Sequence, residues 1–390
     1  MREPTSAGGL GVYVHIPFCE RVCPYCDFAV EGVGRLSSAL AREFIASLGT
    51  ELELHLAEQT ELSGRPLDTL YLGGGTPGLL EPEHLGRLIE ALTAAFGPLP
   101  REVTLELNPG VQEIERLPGY RSLGVTRLSV GVQSLDDRVL RRLGRAQSAA
   151  QARAGLQACL EAGFSSVSAD LIYAAPDQSI EGLADDLETL TRAGVPHVSV
   201  YGLTLEPGTP LQRAAASGQL SLPDEDREAD MFELVRRHLT QADRSQYEIS
   251  SYALAGHGSQ HNQRYWQRLD VLGLGPSASS LIGNRRFKND PSRVEWSAGL
   301  QGRSLRRSED QSLSARQEAQ EALALGLRRI DGISLEAYEK RYGASPAELF
   351  GPQIDELLGL GLIAAEPEVL RLTEHGIRFA DEVFLRFVGR

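Results

Sequence analysis

Six β-rich segments, each followed by a polar turn and a helical pattern, organise the first 210 residues. They are GVYVHIP (11–17), DTLYLGGGTP (68–77), EVTLELNPG (102–110), VTRLSVGVQS (125–134), SSVSADLIYAAP (165–176) and HVSVYGLTLEPGT (197–209). Between them lie amphipathic stretches such as EHLGRLIEALTAAF and IEGLADDLETLTRAG. Strands that alternate with helices build βαβ units on a parallel sheet. Six strands are too few for a closed eight-fold barrel, so the expected fold is α/β, a partial (β/α)6 barrel. Each polar motif of interest stands at the C-terminal end of a strand, where a parallel α/β barrel builds its site.

The pattern changes after about residue 210. A charged helical stretch (223–242) leads into YEISSYALAGHGSQHNQRYW, then into a Gly/Ser-rich loop, GLGPSASSLIGN. From about 311 to 390 the chain reads as helices plus a short β-ribbon, GLIAAEPEVLRLTEHG. The expected organisation is a barrel domain over 1–245, a connecting region over 246–310 and an α+β winged-helix-like domain over 311–390. Winged helices often bind DNA, but residues 301–390 carry 12 Lys/Arg against 15 Asp/Glu, and the chain has a formal charge of −14. Nucleic acid and anionic lipid both need a basic footprint, so neither is an expected partner. No apolar run approaches the length that crosses a bilayer, and MREPTSAGGLG at the start holds no apolar leader core. The expectation is a cytoplasmic protein without stable membrane insertion.

Three of the four cysteines, Cys19, Cys23 and Cys26, fall within YVHIPFCERVCPYCDF (13–28), just after the first strand. The fourth, Cys159 in LQACLEAG, lies in an apolar helical pattern and reads as a small buried hydrophobe. Four cysteines in so long a cytosolic chain do not make a disulfide framework. A structural zinc wants four ligands, usually as two separated pairs. His15 could complete a Cys3His set, although it precedes the first cysteine from within a strand. A [4Fe-4S] cube is the better fit, because one loop can wrap three of its corners and leave the fourth iron open to an external ligand.

C-x3-C-x2-C after the first strand, with the aromatic Tyr25 before the last cysteine, resembles the signature of radical S-adenosylmethionine (SAM) proteins. The resemblance implies that SAM chelates the open iron through its amino and carboxylate groups. One electron from the cluster then cleaves a C–S bond and gives a 5′-deoxyadenosyl radical. The cofactor carries that chemistry, while the protein positions and shields it. GGGTP (73–77) follows the second strand, and its glycines let backbone approach a ligand and expose N–H groups to an anion. In the family this motif contacts the SAM amino group, which carries over to Gly74, Gly75 and Thr76. Glu106 in LELNPG, Gln133 in VGVQS, Arg145 in RRLGR and Asp170 in SADLIY lie at or just beyond strand ends. A polar side chain there is often a strand cap. In family order, Tyr13, Gly74 and Glu106 match the contacts of one SAM, and Gln133, Arg145 and Asp170 match those of a second.

Ordered blocks extend the likeness across nearly the full length: HIPFCERVCPYCDF, GGGTPGLL, VGVQSLDDRVLRRLGR, PDQS, LTLEPGT and YEISSYA. They resemble the oxygen-independent coproporphyrinogen III oxidase-like group. Three points favour its heme-chaperone branch over the decarboxylating oxidases. Those oxidases carry a fourth cysteine two residues after the third, where this chain has Phe28. They have a longer arm ahead of the cluster loop, whereas eighteen residues precede Cys19 here. HNQRYW (261–266) matches the H-N-x-x-Y-W motif of the chaperones and related heme-utilisation proteins. Imidazole is a normal axial ligand of heme iron, and Tyr and Trp offer flat faces, so His261, Asn262, Tyr265 and Trp266 are candidate heme contacts. The alternative is a buried cluster in which His261 and Asn262 cap a turn. Ser279 in GLGPSASS stands where the family has a histidine, and Ala174-Ala175 where a glycine usually starts the turn. The resemblance implies heme as cargo, a heme-accepting respiratory protein and a reductant protein as partners, and membrane contact through a partner. The alternative activity is oxidative decarboxylation of coproporphyrinogen III to protoporphyrinogen IX. Cys23→Ser is expected to abolish the broad visible absorption of the cluster; an unchanged iron and sulfide count would refute the ligand assignment.

Overall fold

The computed structural model of the chain describes residues 8–388. Strands β1 (Leu10–Ile16), β2 (Leu67–Gly74), β3 (Glu102–Leu107), β4 (Arg127–Gln133), β5 (Ser166–Tyr173) and β6 (His197–Gly202) run parallel in that order. Their residues alternate between two faces. Val12, Val14 and Ile16 of β1 are buried on the face that meets the helices. The concave face is unusually polar for a parallel barrel, whose interior is ordinarily filled by branched apolar side chains. Register carries Tyr13 beside Tyr71, Tyr71 beside Thr104 and Thr104 beside Arg127. One pleat higher, Glu106 lies beside Ser129, and Asp170 beside Ser199.

The covering helices follow their strands. α1 (Ser38–Glu58) is capped by the Ser37 side chain on the Leu40 amide. α2 (Pro82–Phe96) buries Leu85, Leu88, Ile89 and Leu92 at helical spacing and ends at Gly97 with φ +88°. α3 (Val111–Ser122), α4 (Ala149–Glu161) and α5 (Ile180–Arg192) complete the ring with α6 (Glu225–Gln241). Cys159 is buried in α4, in the apolar core.

Residues 246–310 do more than connect. β7 (Ser245–Glu248) and β8 (Ser251–Ala253) form a hairpin on β6. α7 (Gln260–Trp266) then crosses beneath the barrel, and β9 (Val271–Leu274) adds a parallel strand beside β1. β10 (Ser279–Ile282), β11 (Arg285–Asn289) and β12 (Arg307–Ser312) continue the sheet antiparallel, with α8 (Arg293–Gln301) before the last of them. The expected six strands therefore sit inside a twelve-stranded sheet. The short, weakly alternating strands at its edges gave little sequence signal. Ala174, where a glycine was expected, adopts φ +59°, so the turn keeps its left-handed backbone at some steric cost.

The fully buried Glu51 of α1 anchors this extension. Its carboxyl group accepts from the Gly275 amide (2.7 Å), Asn289 Nδ2 (2.6 Å) and Trp296 Nε1 (3.0 Å). The C-terminal part has its own core, built by α9 (Ala315–Gly326), α10 (Leu335–Tyr342), α11 (Pro346–Gly359) and α12 (Ala380–Val388). Its β-ribbon is three-stranded: β13 (Ile333–Ser334) joins β14 (Ile363–Ala365) and β15 (Val369–Leu372). Buried Arg268, just after α7, holds Glu318 at 3.0 Å and Glu321 at 2.8 Å on α9 and so ties the two parts together. Glu51→Ala orphans three donors and is expected to cost roughly 3 kcal/mol, read as a lower urea midpoint.

Candidate functional site

The loop after β1 carries the three cysteines over the C-terminal ends of the strands. Two backbone bonds hold it there: the Gly75 amide donates to Ile16 O and the Thr76 amide to Phe18 O, each at 2.8 Å. The approach explains the glycines. Gly74 has φ +107°, and a Cβ there would stand 2.5 Å from the His15 ring. A Cβ at Gly75 would stand 2.7 Å from Phe18 O. The Gly74 amide donates to Glu106 at 3.0 Å. All three amides of the motif are thus used inside the protein, and the loop offers no N–H nest to an anion.

Cys19, Cys23, Cys26 and Tyr25 face one cavity of about 520 Å³ at the barrel mouth. Gly74, Gly75, Thr76, Glu106, Gln133, Arg145 and Asp170 line the same cavity. Thr76 Oγ1 donates to Cys19 Sγ at 3.7 Å, and Arg145 Nη1 to Cys23 Sγ at 3.6 Å. Asn108 bridges them: its amide donates to Thr76 Oγ1 at 3.2 Å and its oxygen accepts from Arg145. One polar chain therefore braces two of the thiols from below. Burial, opposed in part by the Thr76 bond, pushes the Cys19 thiol up to about 11; burial also raises Cys26.

These thiols fit a cluster better than a single ion. Among the described residues no three His, Cys, Asp or Glu side chains come together as ligands of one metal ion. A cube needs only that each thiolate reach a different iron. His15 is spent elsewhere, with Nε2 2.9 Å from Ala29 O and Nδ1 3.1 Å from the Tyr13 hydroxyl. Two donors aimed at sulfur suit thiolates bound to iron.

Burial raises Glu106 to about 7, against the Tyr71 hydroxyl that donates to it at 2.8 Å. Asp170 accepts from Ser129 at 2.8 Å and Ser168 at 3.2 Å, and burial raises its carboxyl too. Two acidic groups in a partly apolar cavity suit a cationic ligand. Gln133 adopts φ +66°, a conformation uncommon outside glycine, of the kind that gathers at binding sites. Tyr13 sits apart from these residues. It does not line the cavity but packs below it, with ring centroids 6.0 Å from Tyr71 and 6.4 Å from His261.

The HNxxYW motif lies on α7. α7 closes the opposite end of the barrel, and its first amides, on Gln260 and His261, donate to buried Glu102 at 2.9 and 2.8 Å. His261 is 1% exposed; Nδ1 meets Thr69 Oγ1 at 2.8 Å and Nε2 meets the Tyr265 hydroxyl at 3.2 Å. Burial and the charge of Arg264 push its imidazole down to about 3, so it stays neutral. With both nitrogens engaged, His261 as placed has none to give to iron. Trp266 instead lies under the Arg328 guanidinium (4.5 Å to the ring centroid), toward the C-terminal part. Asn262 alone of the motif reaches the cavity. Sequence reasoning missed Asn108, although LELNPG placed it two residues after Glu106 at the same strand end.

Comparisons with known proteins agree with this fold. The model of the radical SAM superfamily matches residues 13–201, and that of the HemN C-terminal domain matches 313–379. The solved structure of coproporphyrinogen III oxidase (HemN) from Escherichia coli, a radical SAM enzyme, superposes with a TM-score of 0.82. It covers 99% of this chain and 92% of that one at 24% identity, a likeness of fold. Fold and site thus define a radical SAM protein with a HemN-type C-terminal domain. Heme chaperone HemW of Lactococcus lactis is 33% identical over 100% of this chain and 98% of its own. HemW of Escherichia coli is 32% identical over 97% of this chain and 98% of its own. The chain belongs to the HemW family. Asn108→Ala is expected to speed loss of cluster iron to a chelator several-fold; an unchanged rate would show that the Thr76–Asn108–Arg145 chain does not brace the thiols.

Proposed function

We propose that the protein is a heme chaperone: it binds heme and hands it to a heme-accepting respiratory protein. Full-length identity to proteins named heme chaperone carries this reading. Phe28 supports it. The decarboxylating oxidases are expected to hold a cysteine there, and this chain puts an apolar ring that is 65% exposed, on the wall of the mouth cavity.

Cys19, Cys23 and Cys26 would hold a [4Fe-4S] cluster, with Thr76 and Arg145 donating to its sulfurs. Glu106, Gln133 and Asp170 would hold SAM beside it, with Gly74 and Gly75 setting how closely the backbone lies. When bound, these groups supply one-electron reduction of a sulfonium. The chain's own residues exclude water from the barrel, orient the ligand and present carboxyls to its positive charge. A reductant protein would feed the cluster. No helix among the described residues is long and apolar enough to cross a membrane. The reading is a cytoplasmic protein that meets the membrane through its acceptor.

Cluster-replete protein should take up hemin, seen as a Soret band, and should not turn over coproporphyrinogen III with SAM and a reductant under anaerobic conditions. Catalytic formation of protoporphyrinogen IX would instead establish the oxidase activity.

A further inference from the structure

The cysteine loop separates two cavities. The mouth cavity of about 520 Å³ is of single-ligand size, and a cluster with SAM claims it. A larger groove of about 1010 Å³ lies on the outer side of the loop, between α4 and the N-terminal ends of α1, α2 and α3. Cys23, Arg21, Asn108 and Arg145 belong to both walls.

The groove has the chemistry of a flat, apolar dianion's site. Ala154 and Ala158, one helical turn apart on α4, give one side a low relief, and Leu36 and Leu79 lie among its other apolar walls. Arg116 and Glu81 pair with each other at 2.6 Å and neutralise one another. Exposed Arg21 and Arg35 make no hydrogen bond or ion pair among the described residues, although Arg35 is near enough to help lower the Glu81 carboxyl; Glu20 and the buried Glu113 also line the groove. Four arginines (Arg21, Arg35, Arg116 and Arg145) against three glutamates (Glu20, Glu81 and Glu113) leave the groove positive on a chain of net −14, which favours an anionic ligand. One imidazole, His84, stands in the wall. It is 3% exposed, its Nε2 lies 3.1 Å from the part-buried Ser38 hydroxyl, and its Nδ1 has no partner. Buried polar atoms without partners are rare in folded proteins and call for an explanation.

We propose that this groove, and not the HNxxYW helix, holds the heme. The macrocycle lies along Ala154 and Ala158, its propionates meet Arg21 and Arg35, and the His84 ring swings out of the wall, where both its nitrogens are shut in as placed, to give its unpartnered Nδ1 to the iron. The inference rests on the heme-chaperone reading. It also puts the cargo against the loop that carries Cys23, which explains why a heme carrier would keep a cluster loop.

The test is titration of hemin into full-length, cluster-replete protein, followed by the Soret band. Ala154→Trp fills the groove from an exposed position, and Arg35→Glu, at a residue that the mouth cavity does not share, reverses charge on its wall. Each is expected to weaken hemin binding tenfold or more, with iron content and SAM affinity unchanged as controls of folding. His84→Ala should shift the Soret maximum, while His261→Ala should not. Wild-type affinity in both groove variants would overturn the placement and leave the chaperone reading standing. Failure of the wild-type protein itself to bind hemin would overturn both.

Discussion

Two backbone hydrogen bonds, Gly75 to Ile16 and Thr76 to Phe18, hold the cysteine loop against the end of β2. Parallel strands end on the same side, so the segments leaving β1 and β2 meet there without any long reach. The meeting is close enough that a methyl group at either Gly74 or Gly75 would collide with the loop or with His15. From this contact the rest of the site follows outward. Thr76 is set beneath Cys19, Asn108 at the end of β3 reaches Thr76, and Arg145 beyond β4 completes the arc to Cys23.

The barrel beneath is closed by hydrogen bonds as well as by apolar packing. Ser168 joins His197, which joins Tyr247, whose hydroxyl accepts from the Ser259 amide at the start of α7. Arg127 spans from Ser166 to the carbonyl of His257. In a low-dielectric interior such a network is rigid when every member is satisfied. It makes α7 the floor of the site. Burial pushes His197 well below the ordinary imidazole range, as it does His261, so neither brings a charge under the cavity. The turn that leaves this helix carries Arg268 and, through Glu318 and Glu321, ties it to the C-terminal part. A motif that reads as a ligand-binding signature is thus also the joint between the two halves of the chain.

The six central strands were legible because each is long, β-branched or aromatic, and bounded by glycine, proline or asparagine. The grouping of Cys19, Cys23 and Cys26 was legible because their spacing lies within one loop and needs no tertiary contact to be recognised. The edge strands were not: β8 has three residues and β10 four, too short for a period of two to register. The placement of His261 was not legible either. An imidazole four residues before a tyrosine on a short helix looks the same whether the helix faces solvent, a ligand or a barrel floor.

From sequence alone came the alternation of strand and helix, the three thiols after the first strand, and polar residues at the strand ends. Those are local properties, set by side-chain periodicity and by spacing along the chain. Tertiary structure decided which polar groups share a cavity, which are spent on one another, and where the open space lies. Asn108 joins Thr76 to Arg145, and α7 plugs the barrel, because separate strand ends and a returning segment pack together. No spacing in the sequence encodes that convergence. The thiols could be named before the fold was seen; the groove behind them could not.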